Sequence, residues 1–315
     1  MTPEFLVFAI VLIIALVIDL GVLSKKNSTV SMTKAMWQTI FWVALAMGFF
    51  VYLWIDLRHT PQPHKIPLEY LSAYLMEWSL SIDNIFVFIL IFSFFKIEEK
   101  YYARVLLIGI LMAIVLRMIF ITVGIELIHR FEWLLYVFGV ILIYTGIQMF
   151  MAKEGENANL ADNKIYKFLI RFIPVTAEVH DGKFTIMKNG KRYFTYMSLV
   201  VLMLAGTDIV FALDSIPAVF AISQDSLVIY TSNIFAVLGL RSLFFLLKGA
   251  INKFTYLPQG IAVVLVFIGL KMLLEYFFTI PIYISLLVIV VCIIGSILYS
   301  INRADEEEGE IETKQ

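Results

Sequence analysis

The chain is short of charge. Only 16% of its 315 residues are Asp, Glu, Lys or Arg, where a soluble domain carries about 25%. It has a single cysteine, Cys292. One thiol excludes an intramolecular disulfide framework and a thiolate metal cage, and inside an apolar run it reads as a small apolar filler. The net charge is −1, which gives no bulk attraction to nucleic acid. No basic segment precedes the first apolar run. Lys25 and Lys26 follow it instead, so the run reads as a retained helix and not as a cleaved signal. No Gly-x-x-x-x-Gly-Lys loop is present to hold nucleotide phosphates, and no Gly-x-Gly-Asp motif supports an intramembrane aspartyl protease. The expectation is a protein that is not an enzyme.

What the chain has instead is apolar length. Hydrophobic residues make up 61%. They fall in blocks of about 20, the length a helix needs to cross hydrocarbon. The blocks predict an all-α membrane protein with about nine transmembrane helices, at 4–23, 36–57, 69–95, 103–128, 132–151, 194–221, 226–248, 256–277 and 282–301. The first and seventh are interrupted by polar residues, Asp19 in one and Thr231, Ser232 and Asn233 in the other.

Lys and Arg in the loops orient the chain, because they concentrate on the cytoplasmic side. With the N-terminus outside, eighteen of the 24 fall on cytoplasmic segments and three (Arg58, Lys65, Arg130) on outer ones. Arg117, Arg241 and Lys271 lie within spans. This predicts an N-out, C-in arrangement in a bacterial cytoplasmic (inner) membrane. The long 152–193 loop is expected inside. Lys164 to Ile173 reads as a basic amphipathic helix on the inner leaflet, and Asn189-Gly190 as a hairpin turn. The alternative there is a solvated linker. The acidic 302–315 tail is expected to be disordered.

Spans three to five resemble spans six to eight. Glu77-x5-Asp83-Asn84 matches Asp208-x5-Asp214-Ser215, Leu116-Arg117 matches Leu240-Arg241, and Gly146-Ile147-Gln148-Met149 matches Gly269-Leu270-Lys271-Met272. The three pairs keep their order, at offsets of 131, 124 and 123. Three spans is an odd number, so the second unit (194–277) enters from the opposite side to the first (69–151). That is an inverted repeat, a plan of secondary transporters whose site lies near the midplane. Helices 1–2 (1–57) and the ninth helix (282–301) are peripheral to it.

The charges within these spans define the candidate site. Glu77, Asp83, Asp208 and Asp214 are acidic; Arg117 and Arg241 balance charge. Each costs roughly 2.5–3.5 kcal/mol near a helix centre, which a fold does not need merely to stand. Two Arg–carboxylate pairs with two neutral acids would be the purely structural account. The surplus of acid instead favours a divalent cation, protons, or each in turn. Glu77, Ser81 and Asn84 share a helical face, while Asp83 lies about 120° round from Glu77 and ~9 Å along. Either each acidic pair faces two neighbours, or the helix is broken, as Pro217 would favour in span six.

With Asn84, Ser215 and backbone carbonyls beside the acids, the ligands are hard oxygens suited to Mn, Ca or Mg. Ser81 and Asn233 are secondary candidates. No His or Cys stands near them, which disfavours copper and zinc. His59 and His64 share an outer loop and read as solvated residues, or as collectors of metal at its exit. Asp19 and Asp56 lie near span ends; Lys271 and Glu275 form an i, i+4 pair near the outer end of span eight.

At these residues the chain resembles the TerC family, in its Alx-like branch. The resemblance is carried by Glu77 to Val87, Asp208 to Ala218, Thr231 to Arg241 and the Lys188-Asn189-Gly190 hairpin. It implies the broad LysE-type transporter superfamily, built on inverted three-helix repeats. It also implies manganese export and metal homeostasis, with Glu77, Asp83, Asp208 and Asp214 as the acidic site. Calcium handling, metal supply to exported proteins and tellurite resistance are linked to the same family; an oxyanion would want a positive site, which these residues lack. The expected cargo is Mn2+ or Ca2+ with H+ as the coupling ion, and no permanently bound cofactor. The bilayer is the main partner; the translocon or exported enzymes, and further copies in a homo-oligomer, stay open. Two other readings compete: a LysE-like exporter of a small organic cation or amino acid, and a membrane platform that docks a partner through the 152–192 loop.

Overall fold

In the computed structural model the chain is a bundle of helices, described for residues 3–18, 30–131, 133–151, 171, 183–188, 191–248, 256–274 and 280–312. The helices are α1 (Pro3–Ile18), α2 (Met32–Asp56), α3 (Lys65–Phe94), α4 (Glu99–Arg130), α5 (Leu134–Met151), α6 (Tyr196–Ile222), α7 (Ser226–Lys248), α8 (Leu257–Leu274) and α9 (Ile282–Glu312). Seven are long and apolar enough to cross a membrane, and α6 makes eight if its bent halves form one span. α1 has 16 described residues, shorter than a full span; Asp19 and residues 20–29 lie outside the description.

Burial runs opposite to a water-soluble protein. Trp37, Ile55, Val115, Ile119, Val140, Tyr144, Leu287 and Val291 are large, apolar and exposed on α2, α4, α5 and α9. Such a surface would aggregate in water and is at home in lipid. Polar residues turn inward. α7 is the axis: from Leu227 to Phe244 only Tyr230 is not buried. Its polar triplet, which made this span doubtful by composition, is satisfied internally, as hydrocarbon demands. Thr231 donates to the Leu227 carbonyl at 2.6 Å and Ser232 to that of Ile229 at 3.4 Å. Asn233 bonds across the bundle.

Two strands, β1 (Thr185–Lys188) and β2 (Lys191–Phe194), pair antiparallel around Asn189-Gly190. Thr195 and Ser198 donate to the Phe184 carbonyl at 3.1 and 2.5 Å, tying the ribbon to the start of α6. The expected amphipathic helix at 164–173 lies outside the described residues, apart from Arg171. The expected disordered tail is corrected in part: α9 continues to Glu312. A formed helix extends without a new nucleation cost, and Glu is a good helix former.

α5 and α8 touch backbone to backbone. A Cβ on Gly269 would lie 2.6 Å from the Gly139 carbonyl oxygen, and one on Gly146 would lie 2.8 Å from that of Ala262. The pairing runs up one helix and down the other, so the two are antiparallel. Small residues are the usual way membrane helices approach this closely. Gly269→Ala should therefore destabilise the protein by about 1–3 kcal/mol, since backbone cannot swing aside. Gly295→Ala, where a Cβ meets nothing within 4 Å, should stay within ~0.5 kcal/mol of the parent. Thermal unfolding in detergent measures both.

Candidate functional site

Four helices meet at one guanidinium. Arg117 of α4 is 3% exposed. It grips Asp208 of α6 as a two-pronged fork, Nε to Oδ2 at 2.8 Å and Nη2 to Oδ1 at 2.9 Å. Its Nη1 donates to Glu77 Oε1 of α3 and to Asn233 Oδ1 of α7, the latter at 3.0 Å. Asn233 Nδ2 closes the ring by donating to Glu77 Oε2 at 3.1 Å. Glu77 and Asp208 are 0% and 1% exposed. Charged, two-pronged hydrogen bonds of this kind are the strong ones, and they make the burial tolerable. Glu77, Asp208 and Arg117 together still carry one negative charge in excess.

The sequence placed these residues in one chamber without saying who pairs with whom. In the structure Glu77 of α3 and Asp208 of α6 converge on the same arginine. Asn233, ranked second from sequence, is central, because it bonds both Glu77 and Arg117. Arg241 is buried on α7 with interactions of its own. Asn84 is buried on α3. The side chains of Asp83 and Asp214 lie outside the described residues. Among the described residues no group of three or more His, Cys, Asp or Glu is placed to hold a metal.

Around the two undescribed acids the backbone and hydroxyls are informative. α6 bends by 41° between Tyr196–Ala212 and Ser215–Ile222, at Leu213-Asp214. Pro217 explains the place: it has no N–H for the carbonyl four residues back, Leu213, and its ring pushes that carbonyl aside. Ser81 and Ser215 are buried, and their Oγ atoms have no hydrogen-bond partner. An unsatisfied buried hydroxyl costs about 1–3 kcal/mol. Each serine stands within two residues of an aspartate in sequence, and the Leu213 carbonyl is a further oxygen that Pro217 deprives of its helical donor.

The ends of the bundle differ. Past the ring, where α3 ends and α4 begins, Phe92 stacks on Tyr102 with centroids at 4.2 Å, and Phe244 packs edge-on against both. Lys248 lies over Tyr102 and donates to Glu99. At the opposite end a cavity of about 770 Å3 opens beside Glu69 and Ser223. Sequence reasoning missed Glu69. Its one signal was a carboxylate on the apolar stretch that leads to Glu77. His59 accepts from Arg58 at 2.9 Å, and His64 stacks on Trp54. Asp56 is exposed at the end of α2, Lys271 is buried on α8, and Glu275 lies outside the described residues.

The model of the family described as integral membrane protein TerC family matches residues 63–308. The chain is 43% identical over 284 residues to a Salmonella typhi protein whose name gives it as a candidate membrane-bound redox modulator, Alx; the match covers 89% of this chain and 88% of that one. The namesake in Escherichia coli is 40% identical over 285 residues, covering 89% and 88%. An uncharacterized membrane protein of Rickettsia felis is 40% identical over 300 residues, covering 95% and 98%. No solved structure matches the chain.

Proposed function

The chain belongs to the TerC family of integral membrane proteins, and on that premise we propose that it exports a divalent metal cation, with Mn2+ the preferred cargo, across the bacterial inner membrane. One observation carries the reading: a buried ring of Glu77, Asp208, Arg117 and Asn233 holds more acid than base at the centre of a lipid-facing bundle. By sequence, α3 and α6 carry two more acids, Asp83 and Asp214, and α7 one more base, Arg241. The surplus over the whole set is two negative charges, which a divalent cation matches.

The ligands divide in two. Glu77 and Asp208 are engaged by Arg117 and fix the helices α3, α4, α6 and α7 relative to one another. Asp83, Asp214, Asn84, Ser81, Ser215 and the Leu213 carbonyl supply oxygens to the ion. Hard, all-oxygen donors suit Mn2+ and Ca2+. When the ion leaves, protons on the aspartates would restore neutrality, which is the simplest basis for proton coupling.

The contacts between α5 and α8 support the inverted repeat. Gly146 corresponds to Gly269 and Gly139 to Ala262. The pair Gly139–Gly269 and the pair Gly146–Ala262 are therefore the same contact seen from each unit, as a two-fold relation requires. With the N-terminus outside, the aromatic stack closes the cytoplasmic end and the Glu69 cavity opens outward. The redox role in the relatives' name would need, for thiol chemistry, a second cysteine beside Cys292, and the chain has none.

Everted vesicles test the proposal. Those carrying the protein should accumulate Mn2+ well above vesicles without it. Counterflow of a basic amino acid with no Mn2+ accumulation would favour the organic-cation reading and defeat this one.

A further inference from the structure

We propose that Glu69 is a second cation site, a relay through which an ion leaving the midplane acids reaches the outer water. The inference rests on the transport reading above and deepens it. Glu69 is 7% exposed and lines the cavity of about 770 Å3 together with Gln62, Lys65, Ser223, Gln224 and Lys271. Its Oε2 accepts from Ser223 Oγ at 2.5 Å. That hydroxyl in turn accepts from the Asp225 N–H at 3.1 Å, so its orientation is fixed. The other oxygen, Oε1, has Lys65 at 4.0 Å, with the lysine side chain 59% exposed. An ion pair that long and that wet contributes little. The carboxylate is thus built into a cavity wall with one oxygen anchored and one turned to a weak partner.

Its place in the bundle connects it to the acids below. Glu69 is eight residues before Glu77 on α3, about 12 Å along the helix. Ser223 follows directly on the last residue of α6, nine residues after Asp214. The two helices that bring the acids together at midplane meet again at this carboxylate. The uncharged and anionic donors that line this cavity are oxygens: the Glu69 carboxylate, the Ser223 hydroxyl and the amide oxygens of Gln62 and Gln224. They suit the same hard cation as the midplane set. Lys65 and Lys271 on the same walls oppose a long stay. A conducting path needs such a site, favourable enough to enter and weak enough to leave.

Mn2+ alone is the probe. In wild-type protein in detergent, Mn2+ titration should count a tight site and a weaker one, and Glu69→Gln should lose only the weaker. In everted vesicles Glu69→Gln should lower the maximal uptake rate about tenfold, the effect of removing one charge from the path, with the tight site's affinity within about twofold. Glu69→Asp should recover most of the rate. An unchanged site count and an unchanged rate in Glu69→Gln would overturn the relay, while Mn2+ uptake by the wild type would still uphold the midplane site. If wild type itself takes up no Mn2+, both fall together.

Discussion

Asp214→Asn is expected to abolish Mn2+ uptake in everted vesicles while the protein still inserts and keeps its thermal stability; Asp83→Asn should do the same. Asn has nearly the shape of Asp, so packing is preserved and one negative charge is removed. At an effective dielectric constant of about 20, a unit charge pair 4 Å apart is worth ~4 kcal/mol, and a divalent ion loses at least that. Each 1.4 kcal/mol is a factor of ten, so affinity should fall by about three orders of magnitude or more. The bend in α6 at Leu213-Asp214 makes Asp214 the more sensitive of the two. Its neighbouring carbonyl and the Ser215 hydroxyl cannot bind a metal without the charge. Transport near the wild-type level in both variants would remove these aspartates from the ion's path.

Arg117→Leu is expected to damage the fold more than any other single change in the bundle. It would leave Glu77 and Asp208 buried, adjacent and unneutralised. Removing one partner of a buried pair costs about 3–5 kcal/mol, and here one arginine serves two carboxylates. The variant should accumulate poorly and unfold at markedly lower temperature in detergent. Arg117→Lys should recover only part of the loss, because an ammonium cannot span Asp208 with two parallel bonds. Glu77→Gln and Asp208→Asn, added together to Arg117→Leu, should restore most of the stability, since replacing a whole buried ionic group is often neutral. A single Arg117→Leu variant as stable as its parent would show that the two acids are neutral without it.

The helical spans, the acids and the bend could be read from the sequence because each has a local cause, although seven or eight helices are long enough to cross where nine were expected. Apolar length marks a span, an in-span carboxylate stands out against its neighbours, and a proline withdraws a hydrogen bond four residues earlier. Who pairs with Arg117 could not be read. Glu77, Arg117, Asp208 and Asn233 lie on four helices, and only packing decides which faces meet. α7 shows the same limit: Thr231 and Ser232 weakened it as a span, yet both hydroxyls bond within their own helix. Glu69 escaped notice because a carboxylate near the start of a span also suits a solvated helix end. Only the cavity and Ser223 distinguish the two. Composition pointed to a disordered tail after Ile301, but the helix was already formed and carried on to Glu312.

The most direct test is anomalous scattering from the protein soaked in Mn2+, measured at the manganese absorption edge. A strongest peak between α3 and α6, beside Asp83, Asp214 and Ser215 and absent in Asp214→Asn, is the predicted result. Saturating Mn2+ with no peak in that chamber, or a peak that persists unchanged without the Asp214 carboxylate, would contradict a metal path through these acids.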